Sequence, residues 1–121
     1  MVEEYKSRVF FLTIYIKEAH AADQWKLGDK IVINQHKSNE ERLQATKLMI
    51  ESMNFKIPTI IDTVENTFEE LFAVWPERYI LLEREGDNFK LNYISSPEAY
   101  GHNPITFKQH LIWKESSNNV Q

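Results

Sequence analysis

The run from Val9 to Ile16, VFFLTIYI, constrains the fold more than any other stretch of the chain. Its β-branched and aromatic residues suit a pleated strand. Its lack of polar alternation predicts a strand buried on both faces, as in the middle of a parallel sheet. Such a strand needs covering helices, and the chain supplies them. Ser38 and Glu41 form a capping-box pattern that opens a helix ending near Asn54. Leu43, Thr46, Met49, Ile50 and Met53 are expected on its buried face. Ile57–Asp62, entered through Pro58, predicts a second buried strand. Asn66 and Glu69 repeat the capping pattern before a helix whose Phe68, Leu71, Phe72 and Trp75 recur at i, i+3, i+4 and i+7. Pro76 ends that helix.

Arg78–Glu83 and Phe89–Ile94 then read as an antiparallel hairpin turned at Gly86 and Asp87. Asn103 and Pro104 open a last helix to Lys114, carrying Ile105, Phe107, Leu111 and Ile112. Val2–Arg8 fits the last turns of a helix. Ala19–Lys37 has no clear period and reads as a loop, with room for a helical turn or short strand at Lys30–Ile33. The order is β, loop, α, β, α, β, β, α. Strands separated by helices imply parallel pairing with right-handed crossovers, and the closing hairpin makes the sheet mixed.

At 121 residues the expectation is a single α/β domain spanning residues 1–121. A net charge of −4 with acids and bases interspersed provides no basic stripe for nucleic acid. The longest apolar run is too short to span a bilayer, and the charged N-terminus lacks a signal-peptide core. The chain reads as soluble as given, and its compartment is open. The four histidines show no metal-ligand spacing, so no metal is expected, and three glycines build no phosphate loop. The absence of cysteine excludes disulfides, thiolate metal sites and a cysteine nucleophile within these residues.

In open α/β sheets, sites gather at the carboxyl ends of parallel strands. The first strand delivers Glu18, His20 and, after a short loop, Trp25 to such an end. A lone histidine after a strand is an ordinary hydrogen-bonded loop residue as often as an acid or base. Read without further context, Glu77 fits a solvated corner between helix and strand, and His36 a loop residue beside the Ser38 cap.

Four blocks taken together say more: FLTIYIKEAHAADQW, INQHKSNEERLQATKL, PTIIDT and WPERYILL. In this order they resemble the iodothyronine deiodinase family, whose pattern is matched by Tyr15, Ile16, Glu18, Ala19, His20, Asp23 and Trp25. Gln24 stands where many members have glycine. The resemblance covers Tyr5 to about Tyr93. It implies a thioredoxin-like fold, here expected to lack the first strand and most of the first helix. It also implies reductive removal of iodine from thyroid hormones. A selenolate, or occasionally a cysteine thiolate, attacks iodine; the ring carbon gains a proton, and a thiol reductant regenerates the nucleophile. No bound cofactor is implied beyond that reductant.

By the same resemblance, His20 and Glu77 are the expected catalytic acid–base pair. Glu18, Trp25 and His36 are the expected substrate-binding residues, with His36 near the phenolic end of an iodothyronine. Asp23 and Trp25 shape the loop, and Trp25 either walls an aromatic pocket or seals the core. Arg42 is expected to pair with Glu40 or Glu41 on a solvated face. Pro76, with Pro58 as a rival, takes the place of the proline that precedes a strand in thioredoxin-like folds.

Two features depart from the family. The nucleophile belongs on the preceding strand–helix turn, so the chain alone is expected to be inactive, as if Met1 followed a selenocysteine codon read as a stop. The stretch from Tyr93 to Pro104 lacks the arginine that some members place after the hairpin, leaving His102 as the substitute positive group. Alternative readings are a peroxiredoxin-like enzyme on the same scaffold and a non-catalytic ligand-binding or dimerisation module. A homodimer is in keeping with the family resemblance.

Overall fold

The computed structural model describes residues 1–28, 30–96 and 104–118, with side chains as far as residue 112. It is a mixed α/β structure in the order α1 (Val2–Tyr5), β1 (Thr13–Tyr15), α2 (Asn39–Ser52), β2 (Thr59–Ile61), α3 (Thr67–Phe72), β3 (Ile80–Glu85), β4 (Asn88–Ile94) and α4 (Pro104–Asn118). The chain divides into two compact units, Met1–Trp75 and Pro76–Gln121.

In the first unit β1 and β2 pair in parallel, Thr13 opposite Thr59 and Tyr15 opposite Ile61. Backbone bonds from Thr13 N to the Pro58 carbonyl and from Asp62 N to the Tyr15 carbonyl, both 2.9 Å, extend the ladder. The α2 crossover between two parallel strands is the connection the sequence predicts. The run Val9–Ile16 is not buried on both faces, however. Phe10 is 79% and Leu12 46% exposed, while Val9 and Phe11 between them are half-buried. The regular strand is shorter than the run: it is Thr13–Tyr15, all half-buried, and Phe10 and Leu12 precede it. On β2 the alternation is direct, with Ile60 exposed between half-buried Thr59 and Ile61.

Ser38 caps α2 as expected, accepting from the Glu41 amide at 3.1 Å. The Glu41 carboxylate accepts from the Lys37 amide at 2.6 Å, one residue before the reciprocal capping-box position. The buried stripe of α2 is Arg42, Ala45 and Thr46 with half-buried Met49, whereas Met53, expected inside, is exposed. The spacing is still i, i+3, i+4, i+7. An arginine and a threonine take positions that an apolar pattern would not mark.

Asn66 does not cap α3 with its side chain; it sits in the left-handed region at φ 59°. Asp62 does that work instead, accepting from the amides of Phe68 and Glu69 and from that of Thr63, each at 2.9 Å. On α3, Phe68 and Phe72 pack against each other at 4.8 Å, while Leu71 and Trp75, expected inside, are exposed. The buried neighbour is Glu69, bridged to Lys17 at 2.9 Å.

The second unit holds the antiparallel hairpin of β3 and β4, with an irregularity in register between Leu81 and Leu82. Gly86 takes the turn at φ 62°, a conformation that costs glycine little. Phe107 of α4 stacks on Tyr79 at 4.8 Å and lies 5.8 Å from Tyr93. Phe107 and Leu111 are buried, as their spacing predicts, but Ile105 and Ile112 are exposed. The helix runs to Asn118 rather than stopping at Lys114. Asn103 and His102 lie outside the described residues.

Candidate functional site

The end of β1 leads directly into the segment 16–25, whose backbone is clamped by the Gln35 side chain. The Gln35 amide makes a two-bond clamp on the Glu18 backbone: Glu18 N donates to Oε1 at 3.1 Å, and Nε2 donates to the Glu18 carbonyl at 3.0 Å. Nε2 also reaches Gln24 Oε1 at 3.2 Å. The Gln35 backbone N–H donates to Asp23 Oδ1 at 2.8 Å, and the Ala22 amide donates to the Ile33 carbonyl. A segment without regular structure is thus pinned at both sides. Asp23 shapes the loop, as expected. Gln35 was not singled out by the sequence; its amide gives no signal until a backbone partner is seen.

Glu18 is half-buried. Burial pushes its carboxyl above the usual range, and the charges of His20 and Arg42 oppose that shift. His20 is exposed, and its Nδ1 lies 3.2 Å from the Trp25 carbonyl. A carbonyl can only accept, so in that bond Nδ1 carries the proton and Nε2 is left for exchange with a ligand. The Trp25 indole meets the His20 ring edge to face at 4.9 Å. Trp25 is 63% exposed, which excludes sealing of the core.

His36 is 7% exposed, packed 5.8 Å from the Tyr15 ring. Its Nδ1 accepts from Arg42 Nε at 3.3 Å. Burial, with the Arg42 charge second and Glu41 opposing, holds its pKa below the ordinary histidine value. Its Nε2 is buried with no hydrogen-bond partner among the described residues. Arg42 itself is 1% exposed, which corrects the expectation of a surface pair with Glu40 or Glu41. Nη1 donates to the carbonyls of Asp62 at 3.1 Å and Thr63 at 2.6 Å, and Nη2 to Asn66 Oδ1 at 2.8 Å. A guanidinium satisfies several fixed oxygens at once, which is why an arginine can be buried here. One side chain therefore ties the end of β2 to His36.

His36 and Gln35 lie among the lining of an open groove of about 510 Å³, with Asp23, Val32, Glu41 and Leu48. Glu18, His20, Trp25 and His36 all belong to the first unit. Glu77 belongs to the second, exposed before β3, where its charge adds to the burial that raises the Tyr79 pKa. Among the described residues no cluster of histidine and carboxylate side chains is placed to hold a metal ion. No helix among them is long and apolar enough to cross a membrane.

The profile of the family described as iodothyronine deiodinase matches residues 1–112. The type I iodothyronine deiodinase of Xenopus laevis is 38% identical over 104 residues, covering 86% of this chain and 39% of that protein. The human type II iodothyronine deiodinase is 28% identical over 111 residues, covering 85% of this chain and 38% of that protein. The thyroxine 5-deiodinase of Rattus norvegicus is 32% identical over 84 residues, covering 69% and 27%. The chain spans under half the length of these relatives. With a profile match over nearly its whole length and these relatives beside it, the chain belongs to the iodothyronine deiodinase family.

Proposed function

We propose that the chain is the proton-handling and substrate-contacting part of a thioredoxin-like reductive deiodinase acting on iodothyronines. The observation that carries this reading is the pinned segment around Glu18 and His20, which presents an exposed imidazole beside an exposed indole at the end of a parallel strand. The chain has no cysteine, so the attacking selenolate or thiolate comes from outside these residues. It takes iodine from the ring, forming a chalcogen–iodine bond and breaking carbon–iodine. The electron pair of that bond stays on the ring carbon, which takes a proton. Thiols then displace iodide and restore the nucleophile, themselves becoming a disulfide.

In this reading His20 delivers the proton through Nε2 while the Trp25 carbonyl holds Nδ1. Glu77 is proposed as a second catalytic acid. Trp25 offers its exposed face to an iodinated ring, His36 lies at the phenolic end, and Glu18 lines the same end of the strand. A homodimer fits the family assignment. Thyroxine titrated against the chain should quench tryptophan fluorescence saturably, and Trp25→Phe should remove most of the quench. A chain whose fluorescence is unmoved by thyroxine up to its solubility would overturn the reading.

A further inference from the structure

We propose that Arg42 is a positioning residue that fixes His36 as a hydrogen-bond donor through Nε2, so that this position takes an acceptor oxygen of the ligand. The ligand's identity, a phenolic ring, rests on the function proposed above; the tautomer does not. A guanidinium has only donors. Its Nε–H points at His36 Nδ1, 3.3 Å away, so Nδ1 must present its lone pair. A neutral imidazole with a lone pair on Nδ1 carries its proton on Nε2. That nitrogen is buried and has no partner among the described residues. A buried N–H without an acceptor is costly, and a ligand oxygen supplies the missing partner.

Arg42 cannot readily turn away. Its other nitrogens are held by the Asp62 and Thr63 carbonyls and by Asn66 Oδ1. Among the described residues, the charged and titratable groups facing the His36 ring are Arg42 and Glu41 from α2 and Tyr15 from β1. A second proton on the ring would put an N–H against the Arg42 N–H, so the arrangement favours the neutral donor.

The test is nitrogen-15 NMR of the labelled 121-residue chain at pH 7, alone and with 2,6-diiodophenol as the probe. The expected spectrum shows His36 Nδ1 unprotonated and Nε2 protonated, with the Nε2–H signal moving as the phenol is added. Arg42→Gln should mix the two tautomers and weaken phenol binding about tenfold, the loss of one modest hydrogen bond. Arg42→Lys keeps a donor there and should recover part of both. A wild-type ring protonated on Nδ1, or on both nitrogens, overturns the proposal, and this result needs no variant to fold. A folded Arg42→Gln whose His36 tautomer is unchanged also overturns it. The expected tautomer with no response to the phenol overturns the acceptor-recognition half. The deiodinase reading fails separately, if thyroxine leaves the tryptophan fluorescence unmoved.

Discussion

His36 loses its proton more readily than a free histidine because burial and the neighbouring Arg42 both disfavour the imidazolium. A folded-state pKa below the unfolded one gives stability that is present above the unfolded value, 6.5, and lost as pH falls through the folded one. Thermal melts should therefore drop in Tm as pH is lowered below that value, and His36→Gln should flatten the slope in that window. Equal slopes in the two proteins would show that His36 titrates alike in the folded and unfolded chain, against this reading. Arg42 matters to stability for a different reason. Replacing it by methionine leaves the Asp62 and Thr63 carbonyls and Asn66 Oδ1 without their donor. With unpaired buried acceptors costing about 1–3 kcal/mol each, partly relieved by water, the expected loss is about 3 kcal/mol in urea denaturation. The sequence displayed Glu18, His20 and Trp25 openly, since a strand end followed by polar groups marks a site. It hid the role of Arg42. A charged residue one position from an apolar stripe reads as solvated until the carbonyls that receive it are seen, and those come from residues some twenty positions on.

At the level of elements, turn and helix signals were legible where they depend on neighbours in sequence. Ser38 caps α2, and Gly86 turns the hairpin. The cap of α3 was misread because Asn66 looks like the local cap, whereas Asp62 reaches the same amides from the end of β2. Asp62 also binds the Thr63 amide, so it closes the turn as well as the helix. Asp62→Ala should cost about 2 kcal/mol, the upper end for a helix cap, measured by chemical denaturation. An Asp62→Ala chain as stable as the wild type would contradict that cap. Strand pairing was legible in its direction but not in its burial. An apolar run says that a strand forms, yet not how much of the run pairs or how many of its faces are covered: β1 is only Thr13–Tyr15, and Ile60 on β2 is exposed.

Across the whole molecule, the mixed α/β character followed from the order of elements, while part of the first unit is tied by polar groups that periodicity does not weigh. A two-stranded sheet is marginal by itself. In the first unit the ties that join β1, β2, α2 and the site segment run through Gln35, Arg42 and Asp62. The central functional claim is that this framework presents His20 as the proton donor for a chalcogen supplied from outside these residues. The direct measurement is thiol-dependent iodide release from thyroxine by the native protein, wild type against His20→Asn. The account predicts thiol-dependent turnover in the wild type and a fall in kcat of about 10²-fold in the variant, the lower end for a lost general acid. Thyroxine binding, followed by tryptophan fluorescence, should be nearly unchanged. A variant that releases iodide at the wild-type rate would contradict it.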